Sequence, residues 1–136
     1  MKDTLPVILN VYKIKKISLL DSIGINIYHT AIEYDNVEYA FGKIMDPNVS
    51  GVYDINPMSY GGGSYLESIN LGKVTRREYF VKLDKLKRLY MGDTYNILTK
   101  NCNHFTNDFI HLLFNKKIPT KYTSFLKLGE FLRKIF

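Results

Sequence analysis

The sequence predicts an α+β fold in which an antiparallel sheet packs against helices. Three observations predict it. Runs rich in β-branched and aromatic residues, bounded by turn residues, occupy the chain up to about position 74. Asp35-Asn36 joins two of these runs as a hairpin turn, because both residues tolerate positive φ. Runs with apolar residues at helical spacing, each preceded by a capping residue, fill the remainder. Strands early and helices late define the class. No internal repeat or linker divides the chain, so residues 1–136 are expected to form a single domain.

The elements follow in order. Residues 7–12 form a short apolar run, expected as a buried strand, and 13–21 a mixed basic and apolar connector. Residues 25–34 read as a strand, with 37–42 as its hairpin partner. A two-residue turn sets His29 opposite Gly42, where the missing side chain leaves room for an imidazole or a substrate. Pro47, Asn48 and Gly51 mark a turn before an alternating strand at 51–57. Residues 60–65, with Gly61, Gly62 and Gly63, form a loop that is either a plain connector or a mobile wall of a substrate groove. Residues 65–74 read as the last strand. Thr75 is a candidate N-cap with Glu78 three residues on, as in a capping box. The helix it opens, 76 to about 91, carries Phe80, Leu83, Leu86 and Leu89 or Tyr90 along one side. Gly92-Asp93 ends it and leads to a short helix at 94–98. Asn101 then caps a helix from Cys102 to about 115, and Pro119 breaks the pattern. Thr123 or Ser124 caps a last amphipathic helix bearing Phe125, Leu128 and Leu132. That helix either docks on the domain's own core or lies on a membrane surface or partner.

Chemistry concentrates at Asn101-Cys102-Asn103-His104-Phe105, which holds the only cysteine. Capping by Asn101 sets Cys102 in the first turn of its helix, among unpaired N–H groups and at the positive end of the macrodipole. Thiol pKa falls in such a place. The residue is therefore either a buried structural cysteine or an activated nucleophile. A nucleophile needs an imidazole within hydrogen-bond reach. Of the three histidines, His104 is two residues away and points from the opposite side of the helix, and His111 lies well down it. His29 remains, on a separate strand, where it is either an ordinary sheet histidine or the partner base. A strand histidine with a cysteine at a helix N-terminus is the arrangement of papain-like cysteine hydrolases. A Cys102-x-His104 metal site is disfavoured because the helix parts the two side chains and no further ligands cluster there. No cofactor or metal is expected.

Composition sets the remaining bounds. Hydrophobic residues make up 46% and charged residues 24%, ordinary values for a folded domain with a real core. One cysteine excludes an internal disulfide and suits a reducing compartment. The start has no signal-peptide pattern and no run reaches membrane-spanning length, so a cytoplasmic or nuclear protein is expected. The net charge of +6 comes from scattered lysines and arginines. Without a nucleic-acid-binding signature to organise them, they read as a solvated surface that steers acidic partners.

These residues also carry a family resemblance. His29-Thr30 after Tyr28, Glu38-Tyr39-Ala40-Phe41-Gly42, Tyr95-Asn96-Ile97-Leu98, the Asn101-Cys102-Asn103-His104-Phe105 core and Lys117-Ile118-Pro119 follow one another as in the PPPDE-domain proteins, over roughly residues 6 to 122. Asn36 stands where that family often has Gly. The resemblance implies a circularly permuted papain-like fold, with the catalytic histidine before the cysteine, and a His29–Cys102 dyad. The expected chemistry is a thiolate–imidazolium pair whose cysteine forms an acyl-enzyme. The Cys102 N–H is the leading oxyanion donor, with Asn101 or Tyr95 as a second; the chain contains no Gln to serve instead. The family's desumoylating isopeptidases imply SUMO- or ubiquitin-conjugated proteins as partners and, in some members, a homodimer. Modifiers that end in Gly-Gly suit a narrow groove beside Gly42 and Gly61 to Gly63. The alternatives are a protein S-acyl thioesterase with the same dyad and a non-catalytic binding module.

Overall fold

The structure, a computed structural model, describes residues 3–14 and 26–122. Among the described residues there are five strands, β1 (Thr4–Ile14), β2 (Tyr28–Tyr34), β3 (Val37–Phe41), β4 (Val52–Ile55) and β5 (Gly63–Thr75). They form one antiparallel sheet in the order β4-β3-β2-β1-β5. Helices α1 (Arg76–Leu89) and α2 (Cys102–Phe114) follow, giving the α+β class that the segregated pattern predicts. The last amphipathic helix expected from the sequence, after Thr123, lies outside the described residues.

Local chemistry sets most element ends. Asp35 and Asn36 have φ of 51° and 63°, the primed turn of a two-residue hairpin, and Tyr34 pairs with Val37. The β2–β3 ladder runs only to Ile32–Tyr39, and Gly42 instead bonds Gly51. The space above Gly42 holds the Tyr53 ring rather than His29: a β-carbon on Gly42 would lie 3.1 Å from Tyr53 Cε1. Strand β5 starts earlier than the sequence predicts, at Gly63, because the chain there packs directly on the β1 backbone. Near its far end Gly72, at φ 138°, occupies a bulge beside Val7, and the Phe114 ring packs over it.

Thr75 caps α1 through a complete capping box with Glu78. The face α1 turns to the core is Tyr79, Leu83, Leu86 and Tyr90; Phe80 and Leu89, expected on that side, are 40% and 54% exposed. The period through 79, 83, 86 and 90 is the better helical stripe, and Tyr79 rather than Phe80 begins it. Residues 94–98 do not form the expected helix. A 3-10 turn spans Gly92–Thr94, and Asn96 Oδ1 then accepts from the N–H groups of Leu98 and Thr99, an Asx turn that competes with helix.

Both helices sit on one face of the sheet. Val7, Leu9 and Val11 of β1, with Ile32 and Tyr34 of β2, meet Tyr79, Leu83 and Leu86 of α1 and Phe105, Phe109 and Ile110 of α2. Burying each such side chain contributes about 1.5–3 kcal/mol. The opposite face carries a polar cluster. Glu33 and Glu38 stand directly across from each other on β2 and β3, an unfavourable pairing of like charges. Asn10 Nδ2 offsets it by donating to both, at 3.0 and 2.9 Å, and Tyr12 Oη donates to Glu38 Oε2 at 2.7 Å. Ala31, which pairs with Asn10, is small enough to let these β1 side chains cross β2.

Candidate active site

Cys102 is the first residue of α2. Asn101 Oδ1 accepts from the N–H groups of Asn103 and His104, at 2.9 and 3.2 Å. The Asn101 N–H donates to His104 Nδ1 at 3.0 Å, so His104 fills the place of the Glu or Gln of a capping box. The sequence placed His104 on the side of the helix away from Cys102 and did not suggest this role. Asn101 Nδ2 donates to Ile97 O at 2.8 Å. Both ends of the Asn101 side chain are thus engaged in holding the helix start.

The residue that joins the helix to the histidine strand is Asn103. Its Nδ2 donates to Tyr28 O at 3.0 Å, and its Oδ1 accepts from Thr30 Oγ1 at 2.6 Å. Thr30 Oγ1 also meets Thr106 Oγ1 at 2.6 Å, one turn along α2. Residues on either side of His29 are therefore clipped to residues on the cysteine helix. In the sequence Asn103 is one residue of the motif around Cys102, with no partner visible nearby. An Asn one residue inside a helix, otherwise a poor helix former, was the available signal.

The thiol lies deep in this junction. Cys102 is 6% exposed and His29 is 4% exposed. The backbone N–H groups of Thr30, Asn103 and Cys102 all face Sγ and favour a thiolate, yet burial outweighs them and pushes the thiol up to about 11. Sγ donates weakly to Asn103 Oδ1 at 3.8 Å. His29 Nε2 is enclosed without a hydrogen-bond partner, and burial pushes the imidazole down to about 4. Burial thus works against the charged form of both groups, and so against the ion pair expected of them. The helix-end effect is local and modest, whereas desolvation acts on both groups and disfavours both charges.

Three phenols lie near enough to feel the thiol's charge. Tyr53, Tyr60 and Tyr95 are each raised above the usual tyrosine range, first by burial and then by nearness to Cys102. The Cys102 N–H faces the Tyr95 hydroxyl oxygen, which brings together two of the expected oxyanion donors. Tyr60 stacks on His29 with ring centroids 3.9 Å apart and planes 8° from parallel. Tyr53 and Tyr60 escaped the sequence reading, because eleven tyrosines gave no reason to single out two. Of the groove glycines, Gly62 lies under the Tyr60 hydroxyl, Gly63 belongs to β5 and Gly61 faces open space.

The buried imidazole predicts a pH dependence of stability. An unfolded histidine titrates near 6.5 and the folded one at about 4. Between those values the unfolded chain holds a proton that the folded chain does not, so stability is complete above 6.5 and falls as pH drops toward 4. The loss is about 3 kcal/mol. Urea unfolding from pH 7 to 4 should show this decline in wild type and a flatter profile in His29→Gln. Equal profiles would mean that the imidazole is solvated in the folded protein.

A histidine strand clipped to a helix that begins with cysteine, the histidine coming first in the chain, fits the papain-like fold expected from the sequence. The chain belongs to the PPPDE putative peptidase domain family, whose model matches residues 5–134. It is 38% identical to a DeSI-like protein of Arabidopsis thaliana over 129 residues, which are 93% of this chain and 57% of that protein. It is 32% identical over 111 residues to a DeSI-like protein of Schizosaccharomyces pombe, covering 79% of this chain and 55% of the relative. Human desumoylating isopeptidase 1 is 30% identical over 104 residues, 71% of this chain and 56% of the relative. The chain thus spans about half the length of these curated relatives. Among the described residues, no helix is long and apolar enough to cross a membrane.

Proposed function

We propose that the chain is a thiol isopeptidase that releases SUMO from lysine side chains through Cys102 and His29. The observation that carries this reading is the Asn103 clip, which binds the His29 strand to the start of the Cys102 helix. The named activity of the human and rat relatives, desumoylating isopeptidase, supplies the substrate class.

The reaction begins from the neutral pair. Cys102 Sγ attacks the carbonyl carbon of the modifier's terminal glycine while its proton passes to His29. The carbonyl oxygen becomes an oxyanion that accepts from the Cys102 N–H and the Tyr95 hydroxyl. His29 returns the proton to the lysine nitrogen as the C–N bond breaks, which leaves an acyl-enzyme and a free amine. His29 then takes a proton from water, and the hydroxide attacks the thioester. Collapse releases the glycine carboxylate and restores the thiol.

The test is covalent trapping. SUMO, ubiquitin and a fatty-acyl group, each ending in a thiol-reactive electrophile, are incubated with wild type, Cys102→Ala and His29→Ala. Labelling by SUMO that is lost in both variants is the expected result. Labelling by the acyl probe alone would replace the reading with a thioesterase, and labelling by ubiquitin alone would change the modifier. Absence of labelling by every probe would leave a binding module.

A further inference from the structure

A dyad this enclosed cannot meet a protein substrate without a displacement, and the side chain lying on it is Tyr60. Its ring covers one face of the His29 imidazole at 3.9 Å. Tyr12 packs beside both rings, with centroids 5.9 Å from His29 and 5.1 Å from Tyr60. The segment that carries Tyr60 is held on one side by a latch: the Met58 N–H donates to Tyr12 Oη at 3.3 Å, and Tyr12 donates onward to the buried Glu38. Met58 has φ of 67°, a conformation that a residue with a side chain rarely adopts. On the other side β5 begins at Gly63. Between latch and strand Gly61 has open space around it, and Gly62 leaves room for the Tyr60 hydroxyl, which a β-carbon there would push aside. Tyr60 can therefore leave the imidazole without any change in the sheet.

We propose that Tyr60 is a specificity gate, displaced by the extended tail of a bound protein modifier and closed against small acyl compounds. The selection follows from where the binding energy comes from. A folded modifier contacts surface far from the dyad and can spend that energy on breaking the stack, whereas a small thioester has none to spend. Displacement also readies the chemistry. It uncovers the imidazole, with the thiol close by the same phenol, and relieves the burial that keeps His29 uncharged. Basicity of His29 and access to Cys102 are then gained in one motion. The substrate clause rests on the isopeptidase reading above; the gate itself does not.

The experiment measures alkylation of Cys102 by iodoacetamide at pH 7.5, read by mass; the chain has one cysteine, so no other thiol interferes. Tyr60→Ala is expected to react at least about 10-fold faster than wild type. Gly62→Ala keeps the phenol but displaces it, and is expected to be accelerated in the same direction. Tyr60→Phe keeps the stack and should stay within about twofold of wild type. NMR titration should also show the His29 pKa in Tyr60→Ala rising from about 4 toward the ordinary 6.5. Hydrolysis of a small thioester should rise in Tyr60→Ala while SUMO-conjugate cleavage does not. Unchanged alkylation and an unchanged His29 titration in both folded alanine variants would overturn the gate. Alkylation and titration need no substrate, so they separate the two readings. Faster alkylation with no turnover of any conjugate would overturn the isopeptidase and leave the gate standing. Conjugate cleavage with unchanged alkylation would overturn the gate alone.

Discussion

Replacing His29 with alanine is expected to lower kcat/KM for a SUMO–lysine isopeptide by about 10³-fold or more at pH 7. The magnitude follows from the resting state of the thiol. With a pKa of about 11, Cys102 is thiolate in only about one molecule in 10⁴ at neutral pH, so attack depends on a base that takes the proton as the C–S bond forms. No other imidazole can substitute, because His104 Nδ1 accepts from the Asn101 N–H and His111 lies in the last turn of α2. The variant should recover part of its rate as pH rises toward 11, where hydroxide removes the thiol proton directly. Cys102→Ala should show no such recovery. The assay is conjugate cleavage by gel shift from pH 7 to 10. A loss below about tenfold would remove His29 from the proton path.

Asn103→Ala is expected to destabilise the protein by about 2 kcal/mol. The change leaves the Tyr28 carbonyl without its partner and takes from the fully buried Thr30 hydroxyl one of its two partners, Thr106 remaining. A buried polar group left stranded costs about 1–3 kcal/mol. The measurement is a urea midpoint at constant slope, with Thr30→Val and the double variant completing a cycle. A coupling energy near zero would mean that the two side chains do not act as a pair. Because the clip sets the histidine strand against the cysteine helix, cleavage should fall further than stability alone explains, even where the variant remains folded.

The features legible in the sequence are those whose cause lies within a few residues. The Asp35-Asn36 turn, the Thr75–Glu78 capping box and the Asn101 cap all follow from local hydrogen bonding. The features that escaped depend on contacts between distant segments. Asn103 meets a threonine 73 positions away, and Tyr60, between β4 and β5, meets a histidine on β2. The surroundings of Cys102 and His29 are of the same kind: a helix N-terminus is visible in sequence, but the burial that opposes its effect is not. Tyr79 and Phe80 were confused because both are large and aromatic, and only the period through Leu83 and Leu86 separates them. Residues 94–98 show the reverse case, a local Asx turn that a helical reading overlooked.

The enclosure of Cys102 bears on how the protein meets oxidants. Peroxide attacks thiolates, and a thiol's susceptibility follows its thiolate fraction and its exposure. At rest this side chain offers little of either, being 6% exposed and titrating at about 11. Many nucleophilic cysteines are reactive at all times and need a reductant to restore them from sulfenic acid. With its sulfur enclosed in this way, the chain should keep its single thiol through exposure to air that would spend a more open one.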